Sequence, residues 1–83
     1  MADNNEKQVW ATGRKGQVVC ITVDEHDNGV VIASALGEAI TDAQLGRALR
    51  REYPRHTFYS WRANGYVYAQ ADPVSQETSN VKV

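Results

Sequence analysis

The residues best equipped for chemistry lie between Gln44 and Gln70. This stretch holds Arg47, Arg50, Arg51, Arg55 and Arg62 against a single acid, Glu52, an excess of four positive charges in a chain of net charge −1. It also holds six of the seven aromatic residues: Tyr53, Phe58, Tyr59, Trp61, Tyr66 and Tyr68. A guanidinium group is planar, grips a carboxylate or phosphate through two parallel N–H groups, and stacks on rings. Arginine, tryptophan and tyrosine are also the residue types that dominate binding energy at protein interfaces. The stretch therefore reads as a docking surface for an acidic partner protein, with Arg47, Arg50, Arg51, Arg55 and Arg62 meeting carboxylates. In that reading Tyr59, Trp61, Tyr66 and Tyr68 supply the flat contact area.

Single-stranded nucleic acid is the alternative partner, because bases stack on aromatic side chains at about 1–3 kcal/mol each whatever their sequence. A winged helix-turn-helix is a further form of it. Ala33 and Gly37 would fall in a first helix and its turn, the segment TDAQLGRALRR would be the recognition helix, and the Tyr59 to Tyr68 hairpin would be the wing. Two features oppose this: GVVIAS is β-branched and follows a turn signal, and a sequence pI near 6.0 disfavours tight binding to duplex phosphates.

For catalysis the inventory is poor. His26 stands beside Asp24, Glu25 and Asp27 at a turn, where neighbouring side chains point in different directions and no cleft forms. His56 adjoins the basic stretch and has no partner at catalytic spacing. Cys20 is the single cysteine, so it forms no internal disulfide, and the two histidines do not have metal-ligand spacing. The GRKG segment at Gly13 to Gly16 lacks the strand-loop-helix context of a phosphate loop and reads as a hairpin turn. The chain is thus read as a non-catalytic binding protein, inhibitor or adaptor in type, without cofactor or metal.

Positioning these residues requires a framework, and turn signals supply it. Asn-Gly occurs at Asn28–Gly29 and Asn64–Gly65, each flanked by residues of high β propensity, the signature of a hairpin with a two-residue loop. In the first hairpin such a loop sets Glu25 opposite Ile32 and Val23 opposite Ser34. The core face is then Val19, Ile21, Val23, Val30, Ile32 and Leu36, leaving Val18, Cys20, Thr22, Asp24, His26, Val31, Ala33 and Ala35 on the other side. In the second, Ala63 faces Tyr66, Trp61 faces Tyr68 and Tyr59 faces Gln70, so four aromatics share one face and Phe58, Ser60, Val67, Ala69 and Ala71 the other. A further strand, QVWAT, joins through the GRKG turn.

Between the hairpins, Thr41 has the position of an N-cap with Gln44 completing a capping box, and Asp42 suits the positive helix end. Leu45, Ala48, Leu49 and Tyr53 form an apolar stripe, and Pro54 ends the helix near Glu52. The fold expected is α+β: one small domain with an antiparallel sheet of four or five strands and one helix packed on one face, in the order β(β)β-α-ββ. Eighty-three residues suffice for one domain, here residues 8–72, with polar tails at 1–7 and 73–83. No apolar run is long enough to span a membrane, and the polar first residues lack the features of a secretory signal, so the expected location is the cytoplasm. An unpaired sheet edge leaves room for a homodimer.

Overall fold

The computed structural model describes residues 5–74. Its elements are β1 (Asn5–Thr12), β2 (Val18–Glu25), β3 (Val31–Leu36), α1 (Asp42–Glu52), β4 (His56–Ala63) and β5 (Tyr66–Pro73). All five strands join one antiparallel sheet in the order β1-β2-β3-β5-β4, with α1 across one face. This is the α+β arrangement the sequence implied, with the optional strand present. It replaces the helix-turn-helix alternative, because the segment needed for that motif's first helix is strand β3. β1 starts at Asn5, upstream of the expected Gln8, and β5 runs to Pro73. Of the tails expected at 1–7 and 73–83, residues 5–7 and 73 belong to β1 and β5, and residues 1–4 and 75–83 lie outside the described residues.

The helix forms where its cap dictates. Gln44 N–H donates to Thr41 Oγ1 at 3.1 Å and Thr41 N–H donates to Gln44 Oε1 at 3.0 Å, which satisfies two of the amides that a helix start leaves without partners. Gln44 also ties the helix to the first turn, its Nε2 donating to Gly13 O at 3.0 Å. The stripe Leu45, Ala48 and Leu49 is buried against the sheet, with Tyr53 packed at its edge. On the sheet side the core consists of Val9, Val19, Ile21, Val23, Val31, Ala33, Ala35, Val67, Ala69 and Ala71.

The first hairpin differs from expectation by one residue. Glu25 pairs with Val31 and Val23 with Ala33, because the loop is Asp27–Asn28–Gly29 rather than Asn28–Gly29. His26 N–H bonds to Val30 O at 2.9 Å, Gly29 N–H bonds to His26 O at 2.9 Å, and Gly29 takes a φ of 89°. That is a three-residue loop with a left-handed glycine. Asn28 keeps a negative φ and instead accepts Val30 N–H on its Oδ1 at 3.0 Å. A one-residue slip turns every β3 side chain over. Val31, Ala33 and Ala35 therefore lie under the helix, while Ile32 and Leu36 stand on the far face. The second hairpin has the expected two-residue turn, Asn64 and Gly65 both at positive φ, with the expected pairs.

Candidate functional site: the open sheet face and the arginine flank

With α1 on one side, alternation along each strand decides which side chains share the uncovered face. From β4 and β5 it receives Tyr59, Trp61, Tyr66 and Tyr68, since Val67, Ala69 and Ala71 occupy the core. The rings run in series: Tyr59 and Trp61 centroids lie 5.6 Å apart at 32° between planes, Trp61 and Tyr68 stack at 5.4 Å and 18°, and Tyr68 and Tyr66 lie 6.3 Å apart at 33°. Ring contacts at these separations stabilise a fixed array. Tyr59 Oη donates to Gln70 Oε1 at 3.1 Å, and Gln70 Nε2 donates to Asp72 Oδ1 at 3.0 Å, so one edge of the array is also held by hydrogen bonds.

The array remains open to solvent, with Tyr59 56% exposed, Tyr66 43% and Trp61 39%. Sequence reasoning missed Trp10, at 59% the most exposed aromatic, along with exposed Leu36 and Val18. Trp10 pairs with Cys20 on the same face, and small side chains at Cys20, Thr22 and Ser34 separate it from the ring array. The alternation Val9-in, Trp10-out was the available signal, once the GRKG turn is assigned its three-residue loop. Among the described residues, the charged side chains that alternation places on this face are Glu6, Asp24 and Asp72, all acidic.

The arginines lie elsewhere. Arg47, Arg50 and Arg51 are exposed on α1, on the opposite side of the sheet, and Arg55 follows in the turn before β4. Arg50 stacks its guanidinium carbon 5.6 Å from the Phe58 ring, which faces the helix. The single surface in which cations and rings meet a partner together is therefore corrected to two surfaces, because odd and even positions of β4 belong to different layers.

Arg62 is corrected further, since its donors are already used within the chain. Its Nε donates to Asp42 Oδ1 at 2.9 Å, Nη2 lies 2.7 Å from the same oxygen, and Nη1 and Nη2 donate to Gly37 O and Ile40 O at 3.0 and 3.3 Å. Ser60 Oγ adds a bond to Asp42 Oδ2 at 3.0 Å. The Arg62 hydrogen bond holds the Asp42 carboxyl below its ordinary range, outweighing the opposing effect of burial. Arg62 thus fastens the β3-to-helix connection to β4.

A second polar cluster closes the other end of the helix. Tyr53 Oη donates to Glu25 Oε2, and Lys7 Nζ lies 3.3 Å from that carboxylate, 3.8 Å from Glu52 and over the Tyr53 ring. The Tyr53 hydrogen bond, with Lys7 beside it, lowers the Glu25 pKa; burial first and Glu25 second raise that of Tyr53. His56 sits against Tyr53 and Phe58, its Nε2 3.2 Å from Gly29 O, and does not join the arginines on the helix. His26 is exposed in its turn, and Cys20 is a free, half-buried thiol. Among the described residues no group of histidine, cysteine and carboxylate side chains is arranged to hold a metal. No helix among them is long and apolar enough to cross a membrane.

Compared with known proteins, the chain matches no family, and neither a curated protein nor a solved structure is similar to it.

Proposed function

We propose that the chain is a small non-catalytic binding protein, of the inhibitor or adaptor type, that docks on a partner protein through the open face of its sheet. The observation that carries this reading is the contiguous ring array Tyr59–Trp61–Tyr68–Tyr66 on the face that α1 leaves uncovered, with Tyr59, Trp61 and Tyr66 exposed. Contiguous exposed rings rimmed by polar groups are the surface type that marks protein interfaces, and rigid aromatics lose little side-chain entropy on binding. Trp10 and Leu36 extend the apolar area toward β1.

The charges on this face favour protein over nucleic acid. Phosphate neutralisation by lysine and arginine supplies most non-specific nucleic-acid affinity. Glu6, Asp24 and Asp72 do the opposite, and they favour a partner surface that is apolar with basic groups at one end. The acidic partner suggested by Arg47, Arg50, Arg51 and Arg55 belongs to the helix side instead.

Affinity capture from the native host with three baits tests the reading: the wild-type chain, a Tyr59→Ser/Trp61→Ser variant, and an Arg47→Ala/Arg50→Ala/Arg51→Ala variant. A protein captured by the wild type and the arginine variant, and lost from the aromatic variant, is the expected result. Recovery of nucleic acid, or a partner that the aromatic variant retains, overturns it.

A further inference from the structure

β1 is an edge strand of eight residues with no proline, and among the described residues its one strand partner is β2. The Gly13 N–H to Gln17 O bond of 2.8 Å fixes the hydrogen-bond phase of this pair. Counting back in twos, Ala11, Val9 and Lys7 direct their backbone groups at β2, whereas Gln8, Trp10 and Thr12 direct N–H and C=O outward. An unpaired edge of this length is a template for another strand.

Beside that edge runs the flank of α1. Gln44 touches Gly13 near one end of β1 and Glu52 approaches Lys7 near the other, so the helix follows the strand. Between those two ties lies a groove of about 120 Å³ lined by Trp10, Ala11, Thr12, Gln44, Arg47 and Arg51, with Ala48 at its base. Arg47 and Arg51 make no ion pair among the described residues, whereas Lys7 is paired with Glu25 and Glu52. At the opposite edge, β4, Arg62 is consumed by Asp42 and Arg50 stacks on the Phe58 ring.

The spacings match. Residues four apart on a helix are separated by about 6 Å along its axis, and alternate side chains of a strand by about 6.7 Å. A strand added outside β1 would present every second side chain to the helix flank, in step with Arg47 and Arg51, and the intervening side chains to the open face beside Trp10.

We infer that the β1 edge and the Arg47/Arg51 flank form a docking site for an extended acidic peptide, bound as a sixth strand, with carboxylates at alternate positions and apolar side chains between them. Backbone pairing supplies register, and the two guanidinium groups select the acidic face. The site shares Trp10 with the border of the open face but uses none of Tyr59, Trp61, Tyr66 and Tyr68, so it does not depend on the ring array.

A capped heptapeptide alternating valine and glutamate is the probe, with its valine-lysine counterpart as control. The expected result is binding of the glutamate peptide alone, slowed hydrogen exchange at the amides of Gln8, Trp10 and Thr12, and a loss of about tenfold or more in affinity in Arg47→Glu/Arg51→Glu. Methylating the peptide nitrogens that would pair with β1 abolishes binding, and methylating the intervening nitrogens does not; this arm uses the wild-type chain and is independent of any variant's folding. No binding at millimolar peptide, equal binding of the lysine peptide, indifference to the methylation pattern, or self-association of the chain through β1 each overturns the inference.

Discussion

The five arginines between Gln44 and Gln70 have different fates, and the difference lies in what surrounds each guanidinium. Arg62 reaches one carboxylate and two carbonyls, all within the chain, whereas Arg47 and Arg51 have solvent around them. Replacing Arg62 by alanine removes the side-chain donor to Ile40 O and leaves Gly37 O with Arg14 and Asp42 with Ser60, and chemical denaturation should show a loss of about 1–3 kcal/mol. Arg47→Ala should stay within about 0.5 kcal/mol in the same measurement. The two depressed carboxylates, Asp42 and Glu25, give the acid response its sign. A carboxylate whose folded pKa is lowered contributes stability above its ordinary value, and that contribution disappears as pH falls through the folded value. Stability should therefore decline as pH drops below the ordinary values of 4.5 for Glu25 and 3.8 for Asp42, and an Asp42→Asn/Glu25→Gln variant should show a shallower acid limb in pH-dependent unfolding.

Elements were legible where local chemistry alone decides them. The capping box at Thr41 and Gln44, the apolar stripe ending before Pro54, and the Asn64–Gly65 turn act over a few residues, and all are present as the sequence indicates. Thr41→Ala should lower stability by about 0.5–2 kcal/mol, read by thermal or chemical unfolding. The β3 register was not legible, because Asn-Gly serves both two-residue and three-residue loops and the larger side chains Val30, Ile32 and Leu36 mimic a core face. Packing chooses between them: small residues at Ala33 and Ala35, beside Ala69 and Ala71, let α1 seat its leucines closely. The same ambiguity hid Ile32 and Leu36, which join the open face only in the observed register. Ala33→Leu should therefore destabilise by about 1–3 kcal/mol through overpacking, while Leu36→Ser should change stability by less than about 0.5 kcal/mol. The opposite ranking in denaturant titrations would restore the two-residue loop.

At the scale of the molecule, the described residues set one helix against one side of a five-stranded sheet and leave the other side, which carries the rings, uncovered. The sheet also separates two kinds of binding chemistry: rings with three acids on one side, free guanidinium groups beside the edge on the other. A net charge of −1 conceals this division. The two surfaces should therefore respond differently to solution conditions. Burying rings removes apolar area from water and leaves a negative heat-capacity change that added salt scarcely alters. Pairing Arg47 and Arg51 with exposed carboxylates is screened within about 10 Å at 0.1 M salt and weakens as salt rises. Calorimetric titration at low and high ionic strength should thus give only a small fall in affinity for a partner lost with Tyr59→Ser/Trp61→Ser, and a steeper fall for the glutamate peptide. A partner whose binding depended equally on both sets of residues and fell with salt would require the rings and arginines to act together, which a sheet between them does not permit for a single compact epitope.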